Sequence, residues 1–311
     1  MTNKSIVTEF LLMGFSDDHD GQIQHSVIFL VVYLIALVGN LLIITAVALD
    51  YHLHSPMYFF LVNLAFIDIC YITTTVPKSI SVSLKNSKQI SFAGCVTQIY
   101  LVVACAGGEL ALLTIMAYDR YVAICLPLQY GLIMKRRACF QMVAASWISN
   151  LFHAALQTGL TFRLNFCGSN VIGQYFCHMP QLQKISCTDT KVNEIMIFVV
   201  VSSVESVCFA FICASYVYIF FAVLRIPSVQ ARYKAFSTCT PHLTVFSLFF
   251  ITGVCSYTRP RALSTPTVDL ISAVLYTVLP PVLNPIIYSF RNKDIQEAMW
   301  TIPKKIKDLM A

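Results

Sequence analysis

The chain has 311 residues, of which 57% are apolar and only 12% charged, with a net charge of +6. That is about half the charge of an average soluble domain, too little to keep a protein of this length in solution. A soluble fold is thereby excluded, no nucleic-acid partner is expected, and apolar runs of about 20 residues point to helices that span a bilayer.

Residues 1–25 form a tail ahead of the first apolar run. It carries Asn3-Lys4-Ser5, the expected glycosylation site, and lacks the apolar core and small residues of a cleaved signal peptide. Seven spans follow: Ser26–Leu49, Met57–Ile80, Val96–Val122, Cys139–Thr161, Ile195–Leu224, Phe236–Tyr257 and Asp269–Phe290. Each is long enough to cross about 30 Å of hydrocarbon. The gaps are short apart from the outer loop 162–194, so residues 26–290 form one integral bundle. Residues 291–311 read as an amphipathic helix whose Lys304, Lys305 and Lys307 meet lipid headgroups. The expected fold is an all-α membrane protein, a seven-transmembrane helix bundle with a short cytoplasmic amphipathic helix.

Basic residues orient this bundle. Lys135, Arg136, Arg137, Arg225, Arg232, Lys234, Arg291 and Lys293 follow the third, fifth and seventh spans. The positive-inside rule puts those segments in the cytosol and the N-terminus outside, as in a multi-pass protein of the plasma membrane. Cys95 then opens span three from outside, and Cys167, Cys177 and Cys187 lie in the outer loop. Four cysteines in an oxidising compartment allow three pairings. The other eight read as small buried hydrophobes rather than metal ligands.

Charges within the bilayer are costly unless they face the bundle interior. Asp68 in span two and Glu109 in span three stand at matched depth. Two carboxylates so placed either share a proton or hold a cation between them. Glu205 in span five has no neutralising neighbour in sequence, so it either reaches a ligand or bonds to helix three or six. At the inner end of span three, Asp119 and Arg120 form an adjacent acid-base pair. Such a pair suits a latch, because a guanidinium can exchange one oxygen partner for another.

Ordered motifs run through the chain: Gly39-Asn40, Pro56-Met57-Tyr58-Phe59-Phe60-Leu61, MAYDRYVAIC from Met116 to Cys125, Ser215-Tyr216, KAFSTC from Lys234 to Cys239, and Pro285-Ile286-Ile287-Tyr288-Ser289. Together they resemble the vertebrate odorant receptors of the tetrapod-type branch, which are rhodopsin-like G protein-coupled receptors. The resemblance covers nearly the whole length. It implies a small volatile odorant as ligand, a heterotrimeric G protein of the stimulatory olfactory type as partner, a rise in cAMP, and no enzymatic activity. It also implies the disulfides Cys95–Cys177 and Cys167–Cys187. For Asp68 and Glu109 it implies a sodium-type ion with Asn284 nearby, and otherwise no cofactor; protonated acids bonded across helices remain the alternative. In the implied switch, opening of span six frees Arg120 from Asp119, beside Tyr121, to meet Tyr216. His242 lies near the same level, as a switch or as a packing residue. Asn284-Pro285 and Tyr288 provide the bend of span seven.

Helical spacing and the family's ligand positions outline a pocket. Val102, Val103, Ala106 and Gly107 share a face of span three. Val201 and Glu205 sit one turn apart on span five, while Phe250, Gly253, Val254 and Tyr257 form a stripe on span six, and span seven offers Val274 and Thr277. Ordinary helix packing produces the same stripes. A pocket of this character suits a small, mostly apolar molecule with one or two polar atoms. The chain departs from the family pattern at Phe249-Phe250-Ile251, where Phe-Tyr-Gly is usual, at Pro241, where serine is common, and at Gln129, where Arg or His is usual. A small-molecule transporter, the remoter alternative, would need broken or polar mid-membrane helices, a description that only Asp68, Glu109 and Glu205 fit, and a channel would need a polar stripe or filter loop, which the sequence lacks. The nearer alternative is a rhodopsin-like receptor for another small molecule, although the usual amine position of span three holds Val102.

Overall fold

The computed structural model describes residues 7–13, 18–85, 88–166, 169–187, 191–257 and 265–310. Asn3 lies outside the described residues. The helices, in chain order, are α1 His19–Leu49, α2 Pro56–Lys85, α3 Phe92–Cys125, α4 Tyr130–Ile133, α5 Arg136–Phe162, α6 Met179–Lys184, α7 Lys191–Leu224, α8 Val229–Tyr257, α9 Pro266–Arg291 and α10 Lys293–Met310. Among the described residues seven of them, α1, α2, α3, α5, α7, α8 and α9, run for 26 to 34 residues. They match the seven expected spans in order.

Several spans outrun their apolar cores because capping groups sit further out. The α1 helix starts at His19 rather than Ser26, where the Asp18 side chain accepts from the Gly21 amide at 3.3 Å. The α8 helix starts at Val229 rather than Phe236, with the Ser228 hydroxyl accepting from the Ala231 amide at 3.3 Å. Such caps satisfy amides that the first helical turn leaves without partners. The tail 1–25 is correspondingly shorter than expected, and α8 continues unbroken through Pro241.

The apolar surface faces outward. Along α1, Val27, Ile28, Leu30, Val31, Leu34, Ile35, Val38 and Leu41 are all exposed, a contiguous patch that water would not tolerate and lipid does. Six of the seven long helices carry an 18-residue apolar window. The exception is α5, whose 27 residues reach roughly 40 Å. Its buried face carries Ser146, Asn150, Gln157, Thr158 and Thr161.

Pro285 explains how α9 is held. A proline lacks the amide that would serve the carbonyl four residues earlier, here that of Pro281. Asn40 Nδ2 of α1 donates to that carbonyl at 2.9 Å. The neighbouring Gly39 makes the approach feasible: a Cβ there would lie 3.0 Å from the Pro285 ring. One turn of the motif Gly39-Asn40 therefore repairs a break in a helix far away in sequence.

One end of the bundle is closed by a cap that the sequence reading did not contain. Strands β1 (Glu9–Leu12), β2 (Gln89–Ser91) and β3 (Val171–Ile172) form a sheet in the order β2-β1-β3. Phe10 stands opposite Ile90 in the antiparallel pair, and Leu11 opposite Val171 in the parallel one. Phe10 and Leu12 are fully buried beside Cys95, Ile172 and Cys177. A disulfide joins Cys95 to Cys177, Cα atoms 5.6 Å apart. Gln98 secures the same junction, accepting from the Cys177 amide at 2.8 Å and donating to the Thr74 carbonyl at 2.9 Å. Cys187 is also disulfide-bonded, and Cys167 lies outside the described residues. At the other end α10 buries Ile295, Ala298 and Ile302, and Lys305 pairs with Asp50 at 2.9 Å.

His178, which precedes α6 in the cap, is 5% exposed. Burial holds its imidazole down at a pKa of about 4, against an ordinary 6.5; Asp269 opposes the shift and Lys184 adds to it. The unfolded chain therefore binds more protons than the folded one between those values. The contribution is complete above about pH 6.5 and is lost as pH falls towards about 4. The melting temperature of the purified protein in detergent should drop across that window, and less steeply in His178→Gln. Identical slopes for the two proteins would count against a buried neutral imidazole.

Candidate functional site

Helices α3, α5, α6, α7, α8 and α9 line a cavity of about 60 Å³, with Val204 and Glu205 of α7 at its exposed side. A water molecule needs about 10–15 Å³ of such space, so this conformation has room for a handful of waters and must widen around an organic ligand. From α3 come Val103, Ala106, Gly107 and Leu110; from α5, Asn150, His153 and Gln157. Met179 of α6, Val204 and Glu205 of α7, Phe249 of α8 and Tyr276 of α9 complete the wall.

The polar side of the wall follows from helix geometry. Asn150, His153 and Gln157 are spaced by three and four residues and share one face of α5. Asn150 Nδ2 donates to the Ser146 carbonyl at 2.7 Å and also reaches the Ser146 hydroxyl at 3.4 Å. Its Oδ1 lies against Gly107, where a Cβ would collide with it. Glycine at 107 is thus what lets Asn150 project between α3 and α5. His153 Nε2 and Gln157 Nε2 are in contact with each other. Glu205 makes no hydrogen bond or ion pair among the described residues.

Of the residues expected to line a pocket, Val103, Ala106, Gly107 and Glu205 do so. Others are placed elsewhere for definable reasons. Val102 is buried in the main core at 3% exposure. Phe250 stacks on Phe209 of α7, centroids 4.7 Å apart. Gly253 faces the Tyr276 ring, 3.3 Å from where its Cβ would be. Val254 points outward at 39% exposure, and Val274 packs on the main core. Thr277 is covered by the loop: its hydroxyl meets the Tyr175 phenol at 2.5 Å and donates to the Ala273 carbonyl at 2.8 Å. The side chains of Val201 and Tyr257 lie outside the described residues.

Three polar groups meet in the bundle core. Asn284 Nδ2 of α9 donates to both Asp68 oxygens, at 3.1 and 3.0 Å, and to Glu109 Oε1 at 3.1 Å. Both carboxylates are fully buried, and Glu109 Oε2 has no partner among the described residues. Tyr288, one turn beyond Asn284, is buried with its hydroxyl likewise unpartnered among the described residues.

The expected latch is arranged differently. No ion pair joins Asp119 to Arg120 among the described residues, because adjacent residues on a helix do not face each other. Asp119 is buried and accepts from the Tyr130 phenol of α4 at 2.8 Å. Arg120 Nη2 instead contacts Met57 Sδ of α2. Tyr121 turns towards α7, its ring 5.8 Å from that of Tyr218. His242 of α8 bridges two helices: Nε2 meets the Leu113 carbonyl of α3 at 2.8 Å and Nδ1 meets the Tyr216 phenol of α7 at 2.8 Å. A carbonyl only accepts, so Nε2 carries the proton and Nδ1 accepts from Tyr216.

A family model described as olfactory receptor matches residues 29–305. The chain belongs to the olfactory receptor family. It is 51% identical over 306 residues to human olfactory receptor 14C36 and 47% identical over 304 residues to human olfactory receptor 14A16, covering 98% of each chain. Mouse olfactory receptor 1E16 is 46% identical over 297 residues, covering 96% of this chain and 95% of its own.

The receptor's α5 is the wall that reading by motif missed. A signal was present: polar residues recur along it at three- and four-residue steps in an otherwise apolar run. Overpacking by one methyl costs about 1–3 kcal/mol, so Gly107→Ala should weaken agonist potency about tenfold at unchanged surface expression. Gly107→Ala should also lower the melting temperature of the purified protein, and adding Asn150→Ser should recover most of that drop; equal drops in both would place the collision elsewhere. Removing a hydrogen bond to a charged acceptor costs about 1.5–3 kcal/mol. Tyr130→Phe should therefore raise ligand-free cAMP signalling, by up to about tenfold if the bond exists only in this conformation. An unchanged or lower basal signal would show that Asp119 is not restrained by Tyr130.

Proposed function

We propose that the receptor takes a small volatile ligand into the cavity between α3, α5 and α7 and signals through a stimulatory G protein to raise cAMP. The observation that carries this reading is the cavity itself, largely apolar with a few convergent polar groups, the character expected of a small-molecule site. The same reading places the N-terminus and the sheet cap outside the cell and the Arg120 end in the cytosol, supported by the basic residues after the third, fifth and seventh spans.

His242 would then serve as the clasp of the resting state. An agonist shifts the equilibrium only if it binds the open form better. Movement of α8 away from α3 separates His242 from the Leu113 carbonyl and releases Tyr216 to meet Arg120, which leaves Met57. The incoming G protein would take up the exposed ends of α3, α7 and α8.

The core acids fit a small monovalent cation. Two fully buried carboxylates repel each other unless a proton or a positive charge intervenes, and the unpartnered Glu109 Oε2 supplies a free ligand atom. Asp68 and Glu109 would hold a sodium-type ion, whose single positive charge would offset one of their two negative charges and relieve the repulsion, with Asn284 orienting both carboxylates.

A cAMP reporter assay in cells, run against a broad panel of volatiles, tests this reading. Surface-expressed receptor should answer at least one compound, and Arg120→Ala should reach the surface yet lose the response by at least tenfold. Full signalling by Arg120→Ala would remove Arg120 from the coupling step.

A further inference from the structure

We propose that the receptor's preferred ligands are small primary amines, with the ammonium held between the Glu205 carboxylate and Asn150 Oδ1. This rests on the ligand-cavity reading above and narrows it to a chemical class.

The argument is an inventory of donors and acceptors. Asn150 uses its amide nitrogen on Ser146, at 2.7 and 3.4 Å, which leaves Oδ1 as the group it can offer. Glu205 can offer only carboxyl oxygens, and neither a hydrogen bond nor an ion pair engages it among the described residues. His153 and Gln157 are in contact with each other. An ionised Glu205 on α7 and Asn150 Oδ1 on α5 can only accept, whereas the other polar lining residues, His153, Gln157 and Tyr276, carry N–H or O–H groups. A ligand that satisfies both acceptors must be a donor, and an ammonium has three N–H groups.

Charge points the same way. Glu205 is the one acid among the described lining residues, and no lysine or arginine accompanies it. A carboxylic acid ligand would add a second negative charge in a low-dielectric space, whereas an ammonium supplies the missing counter-charge. The rest of the wall, including Val103, Ala106, Leu110 and Phe249, is apolar and takes a short hydrocarbon. The acid stands on α7, with Val102 of α3 buried in the core, so this recognition does not depend on an acid in span three.

The test uses probes that share a carbon skeleton: isoamylamine, isoamyl alcohol and isovaleric acid, with cyclohexylamine and cyclohexanol as a second pair. In the cAMP assay on the full chain, amines should act at concentrations at least tenfold below their alcohols, and the acid should be inactive. Glu205→Gln, at unchanged surface expression, should shift the amine response by tenfold or more and shift the alcohol response by much less. Glu205→Asp should keep the amine preference. Alcohols equal to or better than amines would overturn the proposal, as would an amine response untouched by Glu205→Gln. Silence to all five probes from a receptor that answers other volatiles overturns the amine assignment alone. Silence to the whole panel at confirmed surface expression overturns the ligand-cavity reading with it.

Discussion

A carbonyl without a donor inside a bilayer cannot be rescued by water, and the cost runs to several kcal/mol. Pro285 creates such a carbonyl at Pro281, and Asn40 supplies the donor from α1. The neighbouring residue, Asn284, joins α9 to Asp68 of α2 and Glu109 of α3. At one level of the bundle, then, the carbonyl that Pro285 frees in α9 and the pairing of two acids depend on two asparagine amides. The cavity is lined by α3, α5 and α7 together with Tyr276 of α9, and the Arg120 end is tied together by His242. A rearrangement of α9 therefore cannot leave the acids where they are.

Much of the architecture was legible because a bilayer restricts what a chain can do. Apolar runs longer than about 20 residues leave few alternatives, and the spans follow from them directly. Their ends were harder. His19 and Val229 start helices because Asp18 and Ser228 cap them, and a cap is a local bond that hydropathy does not register. The sheet cap was invisible for a different reason. Four residues, Glu9 to Leu12, carry no strong strand signal, and their partners are brought near only by the folded bundle.

In the site, the α3 face was legible from helical spacing, while the stripes on α8 and α9 were overread. Phe250 and Thr277 have the right spacing, but Phe209 and Tyr175 reach them first. Spacing tells which residues share a face and says nothing about which neighbour covers it. The polar face of α5 carries no charge to mark it in the sequence, although an asparagine or glutamine in a membrane helix is just as constrained as a charged residue. In the Asp119-Arg120 pair adjacency in sequence does not make contact, because the helix turns the two side chains apart towards Tyr130 and Met57.

The position of β1 also bears on how the molecule assembles. Its side-chain partner Asn170 donates to the Glu9 carbonyl across 161 positions of sequence. During synthesis the strand is made first and waits until more than half of the chain has followed it. Contacts between such distant segments form late, since loop closure must be met before they can contribute. Phe10 and Leu12 stay without cover through that interval, and they gain it only when β2, β3 and the disulfide-bonded loop arrive. The sheet thus acts as a seal on a finished bundle rather than as a starting point for one, and a truncated or misinserted chain would betray itself by two bare hydrophobic side chains near its beginning.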